Sequence, residues 1–125
     1  MTALTAPALE YVGTDASRVV AEAKRTWDAH GEPVEVGITA VTGQAHLASL
    51  AALNARRVEY VIDSDNELVW EALKSARHAD KWQLCALVPL ALMGRAHEHL
   101  CENRFELQGW WFQGDRVAFG GIEIA

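Results

Sequence analysis

The stretch YVIDSDNE, residues 60–67, sets carboxylates at alternate positions, Asp63, Asp65 and Glu67, directly after an apolar run. Carboxylate oxygens suit Mg2+, and open α/β sheets collect their ligands at the carboxyl ends of strands, which is where Asp63 would stand as a metal ligand. The chemistry of such an ion beside a phosphate ester is phosphotransfer or nuclease-like hydrolysis, with the metal offsetting charge on the phosphate. No cofactor is expected for the chain, and Mg2+ is the one this stretch would take under the enzyme reading. The same residues also have a plainer use. Asp65 or Asn66 can cap a helix, and Glu67 suits the positive end of that helix.

A second stretch, TAVTGQAH, puts Thr39, Thr42 and Gly43 at an expected strand-to-helix turn, where hydroxyls and backbone amides can hold a phosphate or nucleotide. A cap and tight turn explain these residues equally well. A third, RAHEHLCEN, spaces His97 and Cys101 four apart, on one face of a helix. Two ligands do not close a zinc site, so a helix-face histidine with a buried Cys101 is the simpler expectation. The acidic stretch resembles the acidic loops of Toprim and haloacid-dehalogenase-type phosphotransferases over its few residues alone. Those families imply a further carboxylate at the end of the preceding strand, where this chain has Thr42, Gly43 and Gln44. The Thr42-Gly43 pair resembles the phosphate loop of flavodoxins, with Ala45 in place of the third hydroxyl.

The chain closes on RFELQGWWFQGDRVAFGGIEIA, in which Gly114 and Asp115 form a two-residue hairpin loop of the kind that wants glycine first. That loop predicts a register: Phe112 with Val117, Trp111 with Ala118, Trp110 with Phe119, Gly109 with Gly120, Leu107 with Ile122, and Phe105 with Ile124. One face then carries Phe105, Leu107, Trp111, Ala118, Ile122 and Ile124 and is expected to build the core. The other carries Trp110, Phe112, Val117 and Phe119 near the turn, and Glu106 opposite Glu123 near the base. Like charges directly across a strand pair are unfavourable, so the expectation is a counterion from Arg56, Arg57 or Arg104 or exposure of both carboxylates to water at the sheet's edge, with a metal or a shared proton as the further alternative. The aromatic cluster must be covered, either by the chain's own helix carrying Trp27 or by a protein partner or second copy.

The elements that would position these groups follow from hydrophobic period. Ala8 to Val12 reads as a short strand, GTDASRVVAEAKRTWDAHG as a helix capped by Thr14 or Asp15, and Val34 onward as a strand. TGQAHLASLAALNARR, rich in Ala and Leu, predicts a second helix, VEYVI a strand, and DNELVWEALKSARHAD a third helix. The five consecutive apolar residues Leu84 to Val88 predict a central parallel strand covered on both faces. LALMGRAHEHLCEN predicts a last helix before the hairpin. This alternation specifies a single α/β domain over residues 1–125: a three-layer sandwich with a mostly parallel sheet and a C-terminal antiparallel β-hairpin.

Composition narrows the function classes. With 17 acidic against 11 basic residues the formal charge is −6, so the mean field repels nucleic acid and anionic membrane surfaces. No apolar stretch reaches the length of a membrane span, and two cysteines do not make a disulfide framework, so a cytoplasmic protein is expected. The leading expectation is a small soluble interaction module, non-catalytic, that meets itself or a protein partner through Trp110, Phe112, Val117 and Phe119.

Overall fold

The computed structural model describes residues 13–41, 46–76, 78 and 81–125. In chain order they form α1 (Thr14–Ala29), β1 (Val34–Ala40), β2 (His46–Ala52), β3 (Arg57–Val61), α2 (Glu67–Lys74), β4 (Gln83–Pro89), a 3-10 turn (Leu90–Leu92), α3 (Met93–Leu100), β5 (Glu106–Gln113) and β6 (Arg116–Ile124). The strand expected over Ala8 to Val12 lies outside the described residues, as do Thr42 and Gly43.

Strand β4 shows why the sheet holds. Its successive residues alternate between two buried clusters: Ala86 and Val88 join one, Cys85 and Leu87 the other, and all four are almost wholly buried. The continuous apolar run is thus read as a strand covered on both sides. The first cluster includes Val69, Trp70 and Leu73 of α2 and Met93, Ala96 and Leu100 of α3, with Phe105 and Leu107. The second includes Ala16, Val19, Val20 and Ala23 of α1, with Leu50, Trp110 and Val117. Helices therefore pack on both faces, α1 on one and the α2–α3 pair on the other. The crossovers from β3 to β4 and from β4 to β5 step the same way across the sheet, and right-handed connections then put both helices on one side.

The six strands lie in sequence order, and the sheet is mixed rather than mostly parallel. The β3–β4 and β4–β5 pairs are parallel, whereas β1–β2, β2–β3 and β5–β6 are antiparallel. The departure has one cause. The Ala- and Leu-rich segment expected as a helix is β2, hydrogen-bonded to β1 and β3 along its length. In its burial pattern Leu47, Ala48, Leu50 and Ala52 are all buried. Because both faces are covered, the segment lacks the polar alternation of a half-exposed strand, and pairing on two sides outweighs a helix propensity worth only tenths of a kcal/mol per residue, roughly 0–0.7.

Local signals elsewhere act as the sequence implies, with small shifts. Gly13, not Thr14 or Asp15, is the N-cap of α1. Asn66 caps α2, its side chain accepting a hydrogen bond from the Leu68 amide at 2.9 Å. Gly114 takes φ 64° while Asp115 stays out of the left-handed region, as a type II′ loop demands.

The hairpin register holds only near that loop. Phe112 pairs with Val117, Trp111 with Ala118 and Trp110 with Phe119, but Gln108 then pairs with Ile122, Leu107 with Glu123 and Glu106 with Ile124. Two residues of β6, Gly120 and Gly121, stand opposite Gly109 alone, which is a β-bulge. One extra residue reverses the faces of all that follow. Ile122 and Ile124 leave the side of Leu107 for the side of Gln108 and Phe119, and the expected opposition of Glu106 and Glu123 does not form. Glu106 instead bonds Arg57, and Glu123 bonds His97 Nε2 at 2.8 Å.

Candidate functional site

The acidic stretch follows β3 and opens α2, so the topology does bring Asp63, Asp65 and Glu67 to the carboxyl end of a central parallel strand. Their partners define their role. Arg95 of α3 reaches Asp65 at 3.1 Å, Glu67 at 3.3 Å and Glu98 at 2.7 Å. Asp65 also accepts from the Trp70 indole at 2.8 Å, and that bond, followed by Arg95, holds its carboxyl below the usual range. Trp70 is fully buried and stacks on His99 with centroids 5.1 Å apart. The cluster ties α2 to α3. Asp63 stands apart from Arg95 and accepts a long hydrogen bond, 3.4 Å, from Ser64. No group of three metal-ligating side chains converges among the described residues.

Thr39 is an exposed residue near the end of β1, at the edge of the sheet. His97 faces Glu123, and Cys101 is exposed rather than buried because it lies just past the end of α3.

The four hairpin residues divide. Trp110 and Val117, 4% and 8% exposed, belong to the core beneath α1. Trp110 donates its indole N–H to the Ile62 carbonyl at 3.2 Å. The Val117 amide donates to Glu22 of α1 at 3.1 Å. Arg116 grips the same carboxylate with two hydrogen bonds, 2.8 and 2.9 Å. These contacts, the Arg116 bonds first, lower the Glu22 pKa from 4.5 to about 2. Phe119 is half-buried against the same cluster, whereas Phe112 is exposed, with the Arg18 guanidinium 4.0 Å above its ring.

A cleft opens where α1 stops covering the hairpin. The helix begins beside Asp63, at the carboxyl end of β3, and ends with the Trp27 indole donating to Glu59, near the amino end, at 2.9 Å. Over that end it leaves a cleft of about 460 Å3 whose lining includes Trp27, Arg57, Glu59, Gln108, Phe119 and Ile122. Its floor is a charged group built from β3 and β5, with Arg57 bonding both Glu59 and Glu106. Glu59 is 5% exposed and takes its bonds from Arg57 and Trp27, while Arg57 Nη2 is buried with no hydrogen-bond partner among the described residues, and the walls above include Ala23, Phe119 and Ile122. Cys85 is buried beside this group, and burial, only partly opposed by Arg57, pushes its thiol up to about 12.

The rim of the cleft continues into the exposed end of β6. Ile122 is 54% exposed and Ile124 73%. Sequence reasoning assigned both to the core, and the Gly120-Gly121 pair was the signal that redirects them, since paired glycines in a strand mark a bulge. Compared with known proteins, the chain matches no family model, no curated protein and no solved structure.

Proposed function

We propose that the chain is a non-catalytic interaction module that self-associates through its C-terminal hairpin, with the outer edge of β6 as the contact. The observation that carries this reading is the pair of exposed isoleucines, Ile122 and Ile124, on the last strand of the sheet. An edge strand offers unpaired amides and carbonyls, and apolar side chains on such an edge make it a ready template for another strand. A second copy supplies a matching surface. Antiparallel pairing of β6 with β6 about a two-fold axis is self-complementary, and it runs the Arg116 end of one strand along the Glu123 end of the other. Full burial of an isoleucine contributes roughly 1.5–3 kcal/mol, so even partial cover of Ile122 and Ile124 of each copy by the Arg116–Val117 end of the other is enough to matter.

Phe119 and the cleft beside it extend the contact on the α1 side, while Trp110 and Val117 support it from within. The alternative reading, a Mg2+-dependent phosphotransferase or nuclease-like enzyme using Asp63, Asp65 and Glu67, has less behind it because Arg95 already engages two of the three carboxylates. We place the protein in the cytoplasm, a reading supported by two unpaired cysteines. No helix among the described residues is long and apolar enough to cross a membrane.

Sedimentation tests the reading. The wild type should run as a dimer, and Ile122→Asp with Ile124→Asp as a folded monomer, because both side chains are exposed and contribute little to the monomer's own core. A wild type that stays monomeric at all concentrations, or a double variant that remains dimeric, would remove β6 as the contact.

A further inference from the structure

A second cleft, about 610 Å3, opens on the α2–α3 side of the sheet, by the amino end of β4. It differs in charge from the rest of an acidic protein. Among the described residues Lys74, Lys81 and Arg104 line it against the single carboxylate of Glu102. Lys74 is engaged by Glu71 at 3.2 Å, but neither Lys81 nor Arg104 has an ion-pair partner among the described residues. Both stand in left-handed backbone, φ 71° and 57°, a conformation that costs a non-glycine residue energy and that tends to persist where a side chain is held for use. The carboxyl ends of α2 and α3 also approach here, and their carbonyl dipoles disfavour an anion. Local donors answer part of that field: the Asn103 side-chain amide donates to the Lys74 carbonyl at 3.4 Å, and the Ser75 amide to that of Glu71 at 3.2 Å.

The cleft also has an aromatic wall. His78 and Trp82 pack with ring centroids 4.3 Å apart, tilted by 53°, and Leu84 and Phe105 form the apolar base. The exposed His78 and half-buried Trp82, beside two cations with no ion-pair partner among the described residues, match a ligand with a flat π-face and an anionic group, in a volume within the roughly 300–1,000 Å3 of small-molecule sites.

We propose that this cleft binds a planar aromatic anion of the nucleoside monophosphate type, its ring against Trp82 and His78 and its phosphate on Lys81 and Arg104. The site lies on the opposite face from the α1 cleft and does not depend on self-association through β6.

The test is calorimetric titration of the full chain with AMP, adenosine and inorganic phosphate as separate probes. AMP should bind, with an affinity that falls as salt rises, and each fragment should bind about tenfold more weakly, the size of one lost stacking or charged contact. Lys81→Asn with Arg104→Asn removes both charges while asparagine tolerates the left-handed backbone, so the fold should survive and AMP affinity should fall about tenfold or more. Trp82→Leu should weaken AMP but not phosphate. Absence of AMP binding at millimolar concentration overturns the proposal, and so does phosphate or adenosine binding as tightly as AMP. The comparison of the three probes on the wild type decides the matter even if a variant fails to fold.

Discussion

Glu22 is the residue on which the packing of α1 against the hairpin most depends, since one carboxylate takes two bonds from Arg116 and one from the Val117 amide. Its pKa is lowered from 4.5 to about 2, so its stabilising contribution is complete above about 4.5 and is lost as pH falls through about 2. Glu22→Gln should flatten the acid limb of the pH–stability curve in that window, read by thermal melting from pH 6 downward, roughly the range over which carboxylates titrate. An unchanged acid limb would mean that the clamp contributes nothing in solution. The two thiols make a second contrast at this scale. Cys85 is buried and its thiol is pushed up to about 12, whereas Cys101 is exposed. The thiolate is the reactive form, so a thiol reagent at mildly alkaline pH should label Cys101 quickly and Cys85 only on unfolding. Equal labelling of both in the native protein would contradict the buried placement of β4.

At the scale of elements, the sequence was most legible where one physical signal had no rival. The apolar run Leu84 to Val88 had to be a doubly covered strand, the Gly114-Asp115 loop set three correct cross-strand pairs, and Asn66 capped its helix. It was least legible where two signals competed. His46–Ala52 has the composition of a helix and the partners of a central strand, and only the neighbours β1 and β3 decide between them. That assignment has a direct consequence for stability. Leu50 is fully buried beneath α1, so Leu50→Ala should cost about 2–5 kcal/mol in chemical denaturation, the range for a core leucine. A cost within about 0.5 kcal/mol would suit an exposed position and would place β2 wrongly. The bulge shows the same competition over fewer residues. Strict alternation from the turn sends Ile122 inward, and the extra glycine at 120–121 sends it out, a change that no side-chain pattern upstream encodes. Of the site residues, Asp65 and Glu67 were found as chemistry and turned out to hold Arg95, a partner 28 or more positions away that spacing alone could not supply.

At the scale of the whole molecule, the sheet is covered on the α2–α3 side by two helices and on the other by one, and the single helix leaves the base of the hairpin bare. The bulge puts two isoleucines on the bare side, and β6 ends the sheet with no strand beyond it among the described residues. The proposed pairing of two copies along this edge would cover the edge and part of the isoleucine surface together, and would extend one sheet across the two-fold axis. Amide hydrogen exchange along β6 reads that pairing most directly. If two copies pair, the outward-facing amides of Arg116–Ile124 exchange slowly in concentrated protein and faster on dilution, while those of β4 are unaffected by concentration. Fast exchange of the outward amides at every concentration, with β4 still protected, would contradict the account.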